Sequence, residues 1–299
     1  MNKQISILGC GWLGFDLAKS FIKNGFSING STTTPGKILA FENANIKPFI
    51  ISIGATNIIG DMNPFLANST ILIIDIPPQL RNGGSDNFVS KIERIIPFIE
   101  NSTIEKVIFI SSTSVYNDNE CTSSKQYIVD EKSIFEPETE SGKQLLTAEK
   151  LLLSNKNFQT SIIRFGGLIG EDRHPIKHLA GRENIQNPEA PINLIHKNDC
   201  IGMIEKITEI DIWNEIFNGV HPNHPSRKEY YTQKATQMKL DAPKFETNQT
   251  SFGKLVSSEK SQKILGYVFE NDIYLNYIIM KKNISTNFNF FNLCKCTKN

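Results

Sequence analysis

The sequence predicts an α/β protein with a Rossmann-like, doubly wound parallel sheet and a small C-terminal lobe. Short apolar runs alternate with helical patterns through the first half of the chain, as in parallel sheets covered by helices on both faces. Three glycines spaced G-x-G-x-x-G follow the first apolar run directly. After Phe165 the pattern becomes irregular and rich in glycine and proline, which predicts long loops outside the sheet.

The first strand, turn and helix carry the most specific signal. An apolar strand over residues 5–8 runs into the glycines, and a helical pattern over residues 12–24 follows. This order predicts a dinucleotide-binding turn, in which the first glycine forms the tight turn and the second lets a pyrophosphate approach the backbone. The third glycine lets the helix pack closely, and its N-terminus attracts phosphate. The residues of this predicted loop are Gly9, Cys10, Gly11, Trp12, Leu13 and Gly14.

Further elements continue the alternation. Short apolar runs bounded by turn residues predict strands at 27–30, 49–53, 70–76, 106–111, 159–165 and 215–219. Apolar residues at helical spacing predict helices at 87–100, 143–153, 199–207 and 225–240.

The expected domain organisation follows from this element order. Residues 1–165 form the predicted dinucleotide-binding core, and residues 196–220 return to it. Residues 166–195 and 221–279 form the predicted lobe on the substrate side. Residues 280–299 are rich in Asn and Lys, and we expect them to be a disordered tail.

Composition argues against several classes of partner. The 299 residues carry 32 basic and 31 acidic side chains, a net charge of +1, so neither nucleic acid nor an anionic membrane is an expected partner. No apolar run approaches the roughly 20 residues that span a bilayer, and no signal-peptide pattern is present. The five scattered cysteines predict a reduced, cytoplasmic protein.

Metal ligation is not expected. Cys294 and Cys296 lack a second ligand pair. The two closely spaced histidine pairs are each interrupted by a proline, Pro175 or Pro222, and we read them as solvated loop residues.

Four segments together resemble the short-chain dehydrogenase/reductase superfamily, most closely its extended and atypical branch of NAD-dependent epimerase/dehydratase proteins. They are residues 7–14, 110–116, 164–170 and 193–199, and the resemblance covers residues 4–275. It implies a nicotinamide cofactor, transfer of hydride, and a small polar substrate such as a nucleotide sugar. A non-catalytic protein that senses NADP(H) is the alternative, because one fold hosts many functions.

The choice of cofactor depends on the residues after the second strand. An acidic residue usually binds the ribose 2′-hydroxyl of NAD there, but residues 29–37 contain none. Ser31, Thr32 and Thr33, with Lys37 nearby, favour NADP, although a plain Thr-rich turn is an alternative. The resemblance also places Ile76, Pro77 and Ser111 along the cofactor.

Candidate residues for the reaction come from the same resemblance. Ser112 occupies the place of a catalytic serine or threonine, although it could equally cap the end of a strand. Arg173 is a candidate for holding an anionic group of the substrate.

The family's catalytic Tyr-x-x-x-Lys pair is not found at the expected helix. Ser141 aligns with the tyrosine and Leu145 with the lysine. A serine hydroxyl has too high a pKa to replace a tuned phenol near neutral pH. Tyr116 and Tyr127 are possible substitutes, although Tyr116 belongs to a Val-Tyr pair that usually packs structurally. Whether the protein is an enzyme therefore stays open, as do its substrate and oligomeric state.

Overall fold

The computed structural model describes residues 3–78, 87–122, 124–134, 136–247 and 249–274. Its strands are β1 Gln4–Leu8, β2 Ser27–Thr32, β3 Ile46–Ile50, β4 Ser52–Ile53, β5 Ile58–Ile59, β6 Ile71–Ile74, β7 Lys106–Ser112, β8 Asn119–Cys121, β9 Ile128–Val129, β10 Gln159–Phe165, β11 Gly167–Ile169, β12 Leu194–His196, β13 Ile216–Gly219, β14 Ser251–Gly253 and β15 Leu255–Val256. Its α-helices are α1 Gly14–Lys23, α2 Ile38–Asn43, α3 Met62–Leu66, α4 Phe88–Glu100, α5 Glu140–Ser154, α6 Ile176–Leu179, α7 Lys197–Ile210, α8 Arg227–Gln237 and α9 Glu259–Lys263.

Seven parallel strands form the central sheet, in the order β13-β10-β7-β6-β1-β2-β3. The chain starts in the middle at β1, moves outward to β3, and then crosses back to β6 on the other side of β1. Ile5 of β1 accordingly pairs with Ile28 of β2 and with Ile71 of β6. This reversal confirms the predicted doubly wound fold, and it creates a crevice at the carboxyl ends of β1 and β6, where such sheets bind ligands.

The core lies in two layers, one on each face of the sheet. Because side chains alternate along a strand, Leu72 and Ile74 of β6 belong to the cluster that packs under α3, α4 and α5. Ile73 points the other way, into the cluster that contains Leu17 of α1 and Met203 of α7. Helices on both faces therefore hold the carboxyl ends of the strands in fixed positions.

A third apolar cluster lies outside the sheet, and we call it the lobe cluster. It joins segments from the two stretches that the sequence assigns to a lobe, 166–195 and 221–279, as far as residue 274. Its buried members are Ile169, Ile176, Ile192, Leu194, Tyr230, Tyr231, Ala235 and Ile273. The predicted tail, residues 280–299, lies outside the described residues, as do Cys294 and Cys296.

Some boundaries differ from the sequence-based expectation. The third sheet strand begins at Ile46 rather than near Phe49, and it contains Pro48. Proline is tolerated there because β3 is an edge strand and needs ladder hydrogen bonds on one side only. The helices α2, α3, α6 and α9 have four to six residues each, too few to show a helical period.

None of the helices in the described part of the chain is both long enough and apolar enough to cross a membrane.

A buried ion pair ties α5 to the sheet. Arg164 Nη2 of β10 lies 2.6 Å from Glu149 Oε2, and both side chains are 1% exposed. The Ser111 hydroxyl donates to Glu149 Oε1 at 2.5 Å, and Arg164 Nη1 donates to the Tyr116 hydroxyl at 3.0 Å. That hydroxyl donates in turn to Asn218 Oδ1 at 2.7 Å, so the network links α5, β7, β10 and β13.

We expect Glu149→Ala to lower the free energy of unfolding by about 3–5 kcal/mol, because it leaves the Arg164 guanidinium buried without its carboxylate. Urea denaturation measures this change. Glu209→Ala is the matched control, because its exposed pair with Lys206 contributes little. Equal effects of the two substitutions would show that the buried network does not stabilise the fold.

Candidate functional site

In the glycine loop, residues 9–14, two glycines lie in close contact with backbone carbonyl oxygens. Gly9 has φ +103°, and a Cβ there would lie 2.3 Å from the carbonyl oxygen of Asp75. A Cβ on Gly14 would lie 2.5 Å from the carbonyl oxygen of Gly9, so α1 starts directly against the end of β1. A Cβ on Gly11 would meet nothing nearer than 3.9 Å, which leaves the surface at Gly11 open for a ligand. The three glycines thus lie as their predicted roles require.

The end of β2 anchors this loop. The Gly9 N–H donates to Ser31 Oγ and the Cys10 N–H to the Ser31 carbonyl oxygen, both at 2.8 Å. Thr32 Oγ1 accepts a bond from the N–H of Thr34 at 3.1 Å. Ser31 and Thr32 are buried, and their hydroxyls serve the backbone. The exposed Thr33, Thr34 and Lys37 are therefore more accessible to a 2′-phosphate than these two buried hydroxyls.

These residues line a cleft at the carboxyl ends of β1, β2 and β6, which we call the first cleft. Its volume is about 210 Å³. The exposed Thr33 and Lys37 lie on one side, and Ile76 and Pro77 follow β6 on the other. The remaining lining residues are Leu8, Gly9, Cys10, Gly11, Ser31, Thr32, Thr34, Ile51, Ser52, Ile53, Asp75 and Lys91.

Asp75, which sequence analysis did not single out, lies at the end of β6 against the start of α1. Its carboxylate accepts a hydrogen bond from the Gly14 N–H. Burial raises the pKa of Asp75 to about 7, while the Gly14 N–H and the charge of Arg173 oppose the rise. A carboxyl group that titrates near neutral pH thus lies beside the open surface at Gly11.

A second cleft, about 570 Å³ in volume, lies between the sheet and the lobe. Three cationic side chains line it: Arg173, Arg227 at the start of α8, and Lys254. Lys254 Nζ lies 2.8 Å from the Asp118 carboxylate, so part of this charge is balanced. The other lining residues are Ile110, Ser111, Ser112, Thr113, Ser114, Phe165, Gly166, Gly167, Leu168, Pro191, Ile192, Asn193, Leu194 and Tyr231.

Ser112 and Ser111 both line the second cleft, but their hydroxyls differ. The half-buried Ser112 accepts a bond from the Ser114 N–H at 3.2 Å, the capping role considered above, and its proton is still free to point at a ligand. The Ser111 hydroxyl is buried and donates to Glu149. Ser112 therefore remains the serine that can contact a substrate.

Tyr116 does not reach either cleft. It is 2% exposed, its hydroxyl is bonded to Arg164 and Asn218, and burial raises its pKa to about 12. Its burial and raised pKa argue against Tyr116 as a substitute for a catalytic tyrosine, because its hydroxyl is held within the core. Tyr127 is half-buried and packs against the core cluster under α4 and α5.

Ser141 and Leu145, which align with the family's tyrosine and lysine, lie on α5, a helix packed against the core. Leu145 is 3% exposed within the core, and Ser141 is half-buried. Among the described residues, a Tyr-x-x-x-Lys spacing occurs at Tyr230 and Lys234 of α8. Both side chains are buried in the lobe, and the Tyr230 hydroxyl is bonded to the carbonyl oxygen of Ile273, so this spacing is structural.

The loop after β11 lies against the glycine loop. Trp12 Nε1 donates to both carboxylate oxygens of Asp172, at 2.9 and 3.1 Å. The Arg173 guanidinium lies 5.0 Å from the centre of the Trp12 ring, while Leu13 packs inward at 3% exposure. Trp12, predicted only as a loop residue, thus joins the predicted cofactor loop to Arg173, the predicted substrate residue.

Comparison with known proteins agrees with the fold. No protein-family model matches the chain. Protein YeeZ of Escherichia coli K12 is 29% identical over 271 residues, which is 90% of this chain and 96% of YeeZ. UDP-glucuronic acid 4-epimerase of Bacillus cereus, solved with NAD, matches with a TM-score of 0.72 at 18% identity, covering 91% of this chain and 93% of the epimerase.

A short-chain dehydrogenase/reductase superfamily protein of Agrobacterium tumefaciens, solved with bound NAD, matches with a TM-score of 0.70 at 13% identity, covering 96% of this chain and 98% of that one. The chain therefore shares the fold of these two proteins, with a parallel Rossmann sheet at its centre. The resemblance stated from the sequence is thereby confirmed at the level of the fold, including the Rossmann sheet.

Asp75 should make stability depend on pH. Its folded-state pKa of about 7 lies above the value of about 3.9 in an unfolded chain, so the stability that its bound proton contributes is lost as pH rises from about 4 to about 7. We expect Asp75→Asn, which cannot titrate, to gain stability over the wild type across this window. Urea denaturation of both proteins at about pH 4.5 and about pH 8 measures the difference. A difference that stays constant with pH would contradict the raised pKa.

Proposed function

We propose that the protein binds a nicotinamide dinucleotide in the first cleft and a small polar substrate in the second, as an oxidoreductase or epimerase. The observation that carries the proposal is the glycine loop, where strand, turn and helix leave an open surface at Gly11 in front of the α1 N-terminus. The structural relatives named above were solved with NAD, which supports the same cofactor class.

NADP is the proposed form of the cofactor. Thr33, Thr34 and Lys37 lie exposed at the first cleft, and the corresponding stretch after β2 contains no carboxylate that would repel a 2′-phosphate. Ile76 and Pro77 line the opposite side. These residues fit a phosphorylated ribose better than a free 2′-hydroxyl, whose usual partner is acidic.

Arg227 and Lys254 favour an anionic or strongly polar substrate in the second cleft. A bound nicotinamide would supply hydride transfer, and the protein would supply binding and orientation. The free proton of Ser112 can be donated to a substrate oxygen and hold it in place. A nucleotide sugar is one substrate of this class, since UDP-glucuronic acid 4-epimerase shares the fold.

A non-catalytic NADP(H) sensor is the second candidate function. Leu145 is apolar and buried, and burial raises the pKa values of Tyr116 and of Tyr231, which lines the second cleft. These groups do not supply the tuned phenol on which the superfamily's standard mechanism depends. The described cysteines Cys10, Cys121 and Cys200 are free and buried, and we propose a cytoplasmic location for either function.

Titration with NADPH and NADH tests the cofactor site. We expect NADPH to bind more tightly, and Lys37→Ala to reduce that preference by removing a charge beside the 2′-phosphate. Gly11→Val should abolish binding of both without unfolding the protein, because its side chain would occupy open space in the cleft. Fluorescence titration, with circular dichroism as the control for folding, measures these effects. An NADH preference would overturn the NADP assignment, and undiminished binding by a folded Gly11→Val protein would overturn the site.

Turnover separates the enzyme from the sensor. With NADPH, aldehydes and sugar nucleotides we expect rates far below those of relatives that have the Tyr-Lys pair, because Ser141 and Leu145 provide no acid/base pair. Ser112→Ala should lower kcat further, whereas Tyr116→Phe should leave it unchanged because that hydroxyl is buried. Absorbance of NADPH measures the rate. Fast turnover that requires Ser141 would show that α5 carries a different catalytic group.

A further inference from the structure

The turn of residues 170–173 is held against the glycine loop. Gly170 and Arg173 exchange backbone hydrogen bonds of 2.8 and 3.3 Å, which closes the turn. A Cβ on Gly170 would lie 2.7 Å from Trp12 Cζ2, so the turn and the indole ring are in close contact. The bond from Trp12 Nε1 to Asp172 fixes the orientation of that ring. The position of Arg173 is therefore set by the glycine loop itself.

The Arg173 side chain is available to a ligand. It is exposed, lies 5.0 Å above the Trp12 ring, and makes no hydrogen bond or salt bridge within the part of the chain that the structure describes. Lys197 lies 4.8 Å from the same ring, but its Nζ is 2.5 Å from the Asp16 carboxylate. Of these two cations beside Trp12, Arg173 is the one whose donors are free.

The charge balance at the glycine loop calls for such a cation. Asp75 already accepts a bond from the Gly14 N–H at the start of α1, and its carboxylate would repel a pyrophosphate placed there. Arg173 lies close enough to Asp75 to favour the charged form of that carboxyl group. A guanidinium in this position can offset the carboxylate and donate two parallel hydrogen bonds to phosphate oxygens.

We propose that Arg173 binds the pyrophosphate of the dinucleotide, rather than an anionic group of the substrate as the sequence suggested. The inference rests on the proposed cofactor function. Arg173 lines the second cleft and contacts the glycine loop through the Trp12 ring, so binding of the cofactor fixes a cation at the border between the two clefts. A cofactor bound in the first cleft therefore changes the contribution of the Arg173 charge to substrate binding in the second cleft.

The test compares Arg173→Gln with Lys197→Gln, a matched loss of one cation beside Trp12. Isothermal titration calorimetry with NADPH, ADP-ribose and adenosine separates pyrophosphate binding from adenosine binding. We expect Arg173→Gln to weaken NADPH and ADP-ribose about tenfold or more, the usual loss for hydrogen bonds to a charged group, and to leave adenosine unchanged. Arg173→Lys should restore part of the affinity, and Lys197→Gln should change each affinity by less than about threefold.

Each other outcome overturns the inference. If the wild type binds NADPH and Arg173→Gln binds it equally well, Arg173 is not a pyrophosphate ligand, although the proposed function stands. If Arg173→Gln weakens adenosine as much as ADP-ribose, the effect does not arise at the phosphates. If the wild type binds none of the three probes, the proposed cofactor function fails together with the inference.

Discussion

The first cleft depends on how closely the start of α1 approaches the ends of β1 and β6. Gly14 lies against the carbonyl oxygen of Gly9, and Gly9 lies against that of Asp75, at separations that leave no room for a side chain. These contacts aim the amino end of α1 at the crevice where the strand order reverses. The other lining residues, from Ser31 to Pro77, lie at or near the ends of the strands that pair beside that junction.

A second constraint comes from the polar network beneath the second cleft. Glu149 and Arg164 are almost fully buried, so each charge has to be balanced by the other. Glu149 also accepts a hydrogen bond from the Ser111 hydroxyl, and Arg164 donates one to the Tyr116 hydroxyl. The hydroxyls of Ser111 and Tyr116 are therefore part of the network that connects α5 with three strands, and they are not available to a substrate. Ser112 is not part of this network, because it lies at the last position of β7, one residue beyond Ser111.

The parallel sheet and the glycine loop could be predicted because each leaves a local pattern: apolar runs, helical periods and glycine spacing. The hydrogen-bond partners of the Tyr116 hydroxyl could not be predicted, because Arg164 and Asn218 are distant in sequence. Asp75 was missed for the same reason, since a carboxylate after an apolar strand becomes notable only when α1 packs against it. The contact between Trp12 and Arg173 spans two loops and leaves no sequence signal.

The two outer strands of the sheet bear on how copies of the chain could associate. Pro48 lacks an N–H, so β3 presents an interrupted row of donors along one border of the sheet. On the opposite border, the Asn218 N–H of β13 is already bonded to Glu131 Oε1 at 2.7 Å. Neither border offers a continuous template for a strand from another molecule. The central sheet therefore disfavours pairing with a strand of another molecule along either border.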